Sequence, residues 1–555
     1  TVSNNMKKTT KILIIFIFCT NYFLFAQNKL RETEKLKTTA KVWGFLKYYH
    51  PQVAEGKYEW DKQLFEILPK VKEASTKEQL SIVYVNWINA LGNIKKCNTC
   101  KKKSNKEYFN KNFNLNWIKN SNIFSNELIK QLKYIIENRH QGNNNYISKD
   151  FESGSYKFTN ELIHKDFNWK NKNLRLLTLF RYWNKIEYFF PYKYQTDTNW
   201  DDVLNRMIPK FLEPSSEVDF HLAMLELVVS IDDSHGYLRT KFTKKYFGNN
   251  FIPAGVKIIN NKAVVNWFYS DSLSKINDLK IGDAITKIND VPINSIYKVK
   301  QKYAQGSNPN VKKAFFTHYS IFNGATDSVK IEYSRNNYLE TKTIGRYPLK
   351  HFDFKKPEVE DFKIIESNIG YVNLGKIKVN DVPKMMDSLI NTKAIIFDIR
   401  NYPKGTLYSI AKYISSKKND FYKKIYPDLN YPGKYIWGKG NQCGENGELK
   451  YKGKVVLLVN ELTQSHAEFT TMCLQTGDNV TTIGSQTSGA DGNIIRFNMV
   501  GGYNTAISGL GIFYPDGTET QRKGVKIDIE IKPTIKGIKE GKDEVLEKAI
   551  KFIKS

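Results

Sequence analysis

The chain has 555 residues, with 85 Lys and Arg against 56 Asp and Glu, a formal charge of +29, and 41% hydrophobic and 25% charged residues. Such proportions exclude a disordered or fibrous chain, and at roughly 100–200 residues per domain the length implies about three to four domains. A single long apolar run stands at the N-terminus, which excludes a polytopic membrane protein.

Met6 precedes Lys7, Lys8 and Lys11, then the apolar stretches 12–18 and 23–26, and Ala26 stands before Gln27. A charged start, an apolar centre and a small residue at the boundary make the layout of a secretory signal peptide over residues 1–26. The polar break at Thr20 and Asn21 leaves the run short for a membrane span. Export to a periplasm or the medium is therefore expected, with no integral membrane segment in the mature chain. The positive charge is scattered through every segment and no helix carries a basic stripe, so nucleic acid is not expected as a partner. Cys97-Asn-Thr-Cys100 is a lone CxxC in a Lys- and Asn-rich stretch, and Cys443 and Cys473 are far from it in sequence. A zinc ribbon is thus not expected, and a local disulfide between Cys97 and Cys100 is. The eight His are dispersed without HExxH spacing, so neither a metal nor a cofactor is expected.

Compared with itself at an offset of 140, the chain shows a duplication. Trp43, Tyr48, Pro51, Trp60, Asp61, Leu64, Pro69 and Lys70 fall without a gap on Trp183, Tyr188, Pro191, Trp200, Asp201, Leu204, Pro209 and Lys210. Each copy reads as an amphipathic helix ending in aromatic residues before Pro, a polar turn, a Trp-Asp helix start, and a third helix. Only the second copy ends in Asp232-Asp233-Ser234-His235; the register places Lys95 opposite His235. A merely exposed His would not call for flanking acids, so chemistry is expected at the second copy. Residues 27–165 and 171–245 are expected as the two helical domains.

From 250 to 348 short β-rich runs with turns replace the aromatic helices. Leu279-Lys-Ile281-Gly282-Asp283 followed by alternating Ile and Asn289-Asp290 resembles the core signature of a PDZ domain. Such domains bind extended peptides by adding them as a strand to a sheet edge, and Gly255, Ile281 and Gly282 are the expected peptide-binding residues. A spacer role is the competing reading of this segment.

Residues 360–555 turn α/β. Gly370-Tyr-Val-Asn-Leu374, Ala394-Ile-Ile-Phe-Asp398 and Lys454-Val-Val-Leu-Leu-Val459 suit strands buried on both faces. The last leads through Asn460-Glu-Leu-Thr-Gln464 into a helical stretch with Ser465 at its start. A Ser there is commonly an N-cap. It is also where a nucleophile gains from the helix dipole, with the N–H of His466 available to an oxyanion.

The order of segments, Asp398-Ile-Arg400-Asn401, and strand-Asn-Glu-x-Thr-x-Ser-x-Ala-Glu together resemble the tail-specific, or C-terminal processing, serine peptidases over roughly residues 170–555. The resemblance implies a multidomain α+β chain with helical N-terminal units, a PDZ-like β domain and a crotonase-like, ClpP-like α/β catalytic core. It implies Ser465 as the nucleophile. The bacterial branch places a lysine base where this chain has Ala490, so the Ser–Lys dyad is absent. The tricorn-core branch uses Ser, His and Glu, which Ser465, His235 and Glu519 match, Glu519 orienting His235 directly or through Ser234. Gly405 matches the loop that gives the second oxyanion N–H, although Tyr402-Pro403-Lys404 stand where glycines are usual. His466, as a rival base, points about 100° away from its neighbour on a helix and is expected to line the pocket. The activity implied is cofactor-free hydrolysis of peptides or unfolded proteins. A catalytically silent binding protein on the same fold is the alternative. Cleavage preference and self-association are not encoded in any pattern above.

Overall fold

A computed structural model describes residues 30–100, 105–150, 154–354 and 360–555. The expected signal peptide over residues 1–26 lies outside the described residues. No described helix is long and apolar enough to cross a membrane.

The duplication is a physical one. The first copy forms α1 (Glu32–Tyr49), α2 (Trp60–Glu73) and α3 (Lys77–Ala90), and the second forms α4 (Lys172–Phe189), α5 (Trp200–Leu212) and α6 (Glu217–Val229). Each copy is pinned by the same pair of indoles. Trp43 Nε1 donates to the Trp60 carbonyl and Trp60 Nε1 to that of Trp43, both at 3.1 Å. Trp183 and Trp200 repeat the exchange at 2.8 and 3.0 Å.

The copies then pack on each other as an isologous pair, in which contacts between equivalent residues are reciprocal. Lys41 of the first binds Asp201 of the second at 2.6 Å, while Arg181, the equivalent of Lys41, binds Asp61, the equivalent of Asp201. Tyr48 meets its own counterpart Tyr188 with ring centroids 5.2 Å apart. Gly44 faces its counterpart Asn184: a Cβ at 44 would lie 1.7 Å from Asn184 Oδ1. Asn184 reaches through the space Gly44 leaves and donates to the Ala40 carbonyl at 3.0 Å. Between the copies Glu161, half-buried, pairs with Lys47 and Lys185.

This helical pair is not separate from the rest. The short strand β1 (Tyr108–Phe109) joins an antiparallel sheet whose other members come from the α/β half. One continuous apolar core holds both helical copies together with Ile425, Tyr435, Ile495, Phe497, Ile507 and Phe513. The two helical regions expected as separate domains therefore share one core. Cys97 and Cys100 are joined in a disulfide.

The middle segment is an antiparallel sheet of β2 (Ala254–Ile259), β3 (Lys262–Phe268), β4 (Ala284–Ile288), β5 (Ser328–Arg335) and β6 (Tyr338–Gly345), in the order β6-β5-β4-β3-β2. It has a core of its own, and α7 (Pro309–Tyr319) packs beside the edge strand β2.

The C-terminal part is built on a six-stranded sheet with β7 (Phe362–Ile365) antiparallel at one edge. Parallel to one another follow β8 (Ile369–Asn373), β9 (Ala394–Asp398), then β13 (Lys454–Val459), β14 (Val480–Gly484) and β17 (Ile529–Glu530). Between β9 and β13 the chain makes β10 (Lys423–Pro427), β11 (Tyr435–Lys439) and β12 (Gln442–Cys443); after β14 come β15 (Asn504–Ser508) and β16 (Gly511–Phe513). The sheet containing β1 has the order β1-β11-β10-β16. In the parallel strands alternate residues enter opposite cores. Val455, Leu457 and Val459 pack under α8 (Val382–Leu389), α9 (Leu407–Ile414) and α10 (His466–Leu474). Val456 and Leu458 pack under α11 (Glu544–Lys554). Burial on both faces is why these strands read as unbroken apolar runs.

Candidate active site

Strand β13 ends in the turn 460–464, and the chain reverses at Ser465 with φ +56°, ψ −119° before entering α10. For a residue with a Cβ this costs about 1 kcal/mol or more and is held by its surroundings. The Ser465 N–H donates to the Ala490 carbonyl at 2.9 Å and to Glu468 Oε2 at 3.2 Å. Glu468 is fully buried and also accepts the N–H groups of Gly489 and Ala490, at 2.7 and 3.0 Å. Burial pushes its carboxyl above the ordinary range despite these bonds. With the Ser465 N–H thus engaged, the His466 N–H, first of the helix, is the one positioned to face outward.

His235 lies on the polar tip that follows α6 and is buried. Its Nδ1 is 2.8 Å from Ser508 Oγ on β15, and Ser508 Oγ donates to Asp233 Oδ1 at 3.1 Å. Asp233 also accepts from the Ser508 N–H at 2.7 Å and the His235 N–H at 3.1 Å, and its Oδ1 is 3.5 Å from His235 Nδ1. Burial alone would raise the Asp233 carboxyl; the bonds from His235 and Ser508 outweigh it and hold the group below its ordinary value. A hydroxyl that gives its proton to a carboxylate can only accept from Nδ1, so Nδ1 carries the imidazole proton. In the neutral ring Nε2 then holds the lone pair, and it is buried with no partner.

Three segments meet here. Ser234 and Gln464, the residues preceding His235 and Ser465, share the hydroxyl of Ser488, at 2.9 and 3.1 Å. Ser307, from the middle segment, donates its N–H to Ser234 Oγ at 2.9 Å, and Asn308 Nδ2 reaches the carbonyls of Thr487 and Ser488. The loop after β9 is tied to the same turn by Thr463 Oγ1, which donates to the Ile399 carbonyl at 2.9 Å. Gly405 on that loop has φ +79°, with nothing nearer than 3.9 Å to where a Cβ would stand, so the backbone angle rather than space calls for glycine. Tyr402 lies beside His466, ring centroids 5.9 Å apart, and burial lowers the His466 imidazole below its ordinary value.

Two expectations need correction. Glu519 does not reach His235 or Ser234. It accepts from Tyr194 Oη at 2.9 Å and pairs with Lys523 at 3.0 Å. The carboxylate beside His235 is Asp233, two residues earlier in the same turn, and Ser234 ties the tip to Ser307 and Ser488 instead of relaying a proton. The acids flanking His235 were the sequence signal for Asp233; Ser508 carried none, standing 273 residues away. Of the three peptide-binding candidates, Gly255 lines a cleft of about 1280 Å³ between β2 and the turn before Ser465, together with Lys257, Trp267, Asn401 and Leu462. Ile281 and Gly282 do not line it. Gly282, at φ +91°, makes the tight turn into β4 and abuts Lys539, while Ile281 packs on the core of the middle sheet. Lys257 of β2 crosses the cleft edge to Glu461 at 2.7 Å.

Among the described residues no group of three or more His, Cys, Asp or Glu could hold a metal ion.

Residues 368–531 match peptidase family S41. Among solved structures, mature CPAF is similar with a TM-score of 0.55 at 11% identity, over 68% of this chain and 96% of that one. Mature CPAF complexed with lactacystin gives 0.53 at 11% identity, over 68% and 98%. The photosystem II D1 C-terminal processing protease gives 0.38 at 15% identity, over 67% and 98%. These structural likenesses concern the fold. No curated protein sequence matches the chain.

Proposed function

We propose that the chain is a serine peptidase, on the match of residues 368–531 to peptidase family S41, and that Ser465 attacks the scissile carbonyl with His235 as its base. The observation that carries this assignment is the polarity of His235. Its Nδ1 is committed through Ser508 to Asp233, so in the neutral imidazole the lone pair is on Nε2, buried and unengaged. Nε2 takes the Ser465 proton as the Oγ–carbon bond forms, and the imidazolium is stabilised by the Asp233 carboxylate. The oxyanion is held by the N–H groups of His466 and Gly405, aided by the positive end of α10. The imidazolium then protonates the leaving amine, and the resulting acyl-enzyme is hydrolysed by a water activated at the same Nε2. This is a Ser–His–Asp set in place of the Ser–His–Glu set expected from the resemblance.

The substrate reading follows from the cleft. The middle sheet acts as a PDZ-like module: an extended peptide added to the edge strand β2 would run past Gly255 and Leu462 toward Ser465. Peptides and unfolded chains present such a strand. Export rests on the pattern of residues 1–26, and the core is read as crotonase-like.

A fluorophosphonate probe tests the assignment. An adduct on Ser465 is expected in the full chain and is lost in Ser465→Ala and in His235→Ala. Absence of an adduct on folded protein would sink the peptidase assignment in favour of a silent binding protein.

A further inference from the structure

Cys443 and Cys473, thirty residues apart and on different elements, meet in the structure. Cys443 ends β12, flanked by exposed Asn441, Gln442 and Glu445, and its own side chain is buried. Cys473 is in the last turn of α10 and is fully buried. Cys443 Sγ is 3.5 Å from the Cys473 carbonyl oxygen and 3.3 Å from Thr476 Oγ1, which itself donates to that carbonyl at 2.8 Å. The Cys443 sulfur thus rests against the backbone of Cys473, and each thiol shifts the other's ionisation. Neither has a third His, Cys, Asp or Glu with which to hold a metal, among the described residues. A thiol pair that serves neither the site nor a metal, yet stands side by side inside the protein, has disulfide formation as its natural chemistry.

We propose that Cys443 and Cys473 form a second disulfide, one that closes a covalent loop around the nucleophile unit. The loop would contain β13, the turn 460–464, Ser465 and nearly all of α10. The inference does not depend on the peptidase reading. It requires a disulfide-bearing oxidant, such as oxidised glutathione or a dithiol oxidase. The Cys443 thiolate attacks one sulfur of the oxidant and expels the other as a thiolate. Cys473 then loses its proton and attacks Cys443 Sγ in the mixed disulfide, expelling the second thiolate. One protein S–S bond replaces two S–H bonds, and the oxidant is reduced to two thiols. Cys443 is the entry point, because its contact with Cys473 lowers its thiol below the ordinary value while burial raises that of Cys473.

Burial makes the two disulfides behave differently. Cys97 and Cys100 are partly exposed, so a small thiol can reach that bond in the native protein. A bond between Cys443 and Cys473 would form and be reduced only as the fold opens locally, so both steps are slow beside those at Cys97–Cys100.

The purified full-length chain is equilibrated with oxidised glutathione, then alkylated in denaturant, digested and analysed by mass. A cross-linked peptide joining Cys443 to Cys473 is expected beside the Cys97–Cys100 peptide. Mild reduction of the native protein should open only Cys97–Cys100. Oxidised wild type should melt several degrees above its fully reduced form, and most of that gain should be absent from Cys443→Ser and Cys473→Ser. If Cys443 and Cys473 are fully alkylated while Cys97–Cys100 is protected in the same sample, the proposal fails. It also fails if the second bond forms but yields to mild reductant as readily as the first. The first readout needs no variant, so a variant that does not fold leaves the test intact.

Discussion

The two copies of the helical unit have the same fold and opposite tasks. At the end of α6 the second copy breaks into the polar tip carrying Asp233 and His235, which docks on β15 and on the turn before Ser465. At the end of α3 the first copy runs through Leu91 and Gly92 into the Cys97–Cys100 loop, and contributes no group to the site. What the first copy supplies is support. It buries α1 against the second copy through reciprocal contacts and passes on to β1, which joins the sheet ending in β16. After duplication, one half of such a pair is free to acquire chemistry only while the other half keeps the shape of the interface. Both copies share one core with the α/β half.

The largest effects should come from the tip of the second copy. His235→Ala and Ser465→Ala are each expected to lower kcat about 10⁴-fold or more, and Asp233→Asn about 10³-fold by favouring the wrong tautomer, measured on a peptide substrate. Ser508→Ala should cost less, about tenfold to a hundredfold, because the imidazole keeps its lone pair but loses the partner that fixes its ring. Glu519→Gln and His466→Ala should stay within a few-fold of wild type. A Glu519 effect as large as that of Asp233 would reverse the carboxylate assignment.

The reciprocal ion pairs sharpen the comparison on stability. Arg181→Ala leaves Asp61, its side chain 12% exposed, with His164 at 3.2 Å as its remaining partner, and should cost up to about 3 kcal/mol in denaturant unfolding. Lys41→Ala leaves Asp201 with 39% exposure and should cost about 1 kcal/mol or less. Equal costs would mean that the two sides of the interface are equally dry, against the burial described.

Acid should separate the copies more gently. His50 of the first copy is fully buried with neither ring nitrogen bonded, and burial lowers its imidazole to about 4. The unfolded chain, with an ordinary value of 6.5, takes up the proton first. The folded state is thus at full stability above pH 6.5 and loses up to about 3 kcal/mol as the pH falls toward 4. The register places Phe190 opposite His50, and His50→Phe should remove this share of the acid sensitivity in melting curves taken between pH 7 and 4. His221, buried and lowered to about 4 in the same way, supplies a residual slope in both proteins.

Much of this was legible in the sequence where the signal is local. An ungapped aromatic register gave away the duplication, and an apolar strand, polar turn and helix marked Ser465. The tip Asp232-Asp233-Ser234-His235 stood out against a copy that lacked it. What escaped depends on contacts across long stretches of chain. Ser508 is an ordinary strand serine until the fold sets it between His235 and Asp233. Glu519 came from the resemblance, but the fold sets it against Tyr194, between α4 and α5, and Lys523 instead of His235. Cys443 and Cys473 looked unrelated because the β10–β12 excursion between β9 and β13, which carries Cys443 to α10, has no signature of its own.

The slot that Gly44 leaves for Asn184 gives the helical pair a sense of direction. Two first copies facing each other would leave both slots empty, and two second copies would drive an amide into a position already holding one. Only unlike halves fit. The half that carries the candidate site and the half that supports it, each unable to pair with its own kind, are thereby made in equal number by every chain translated.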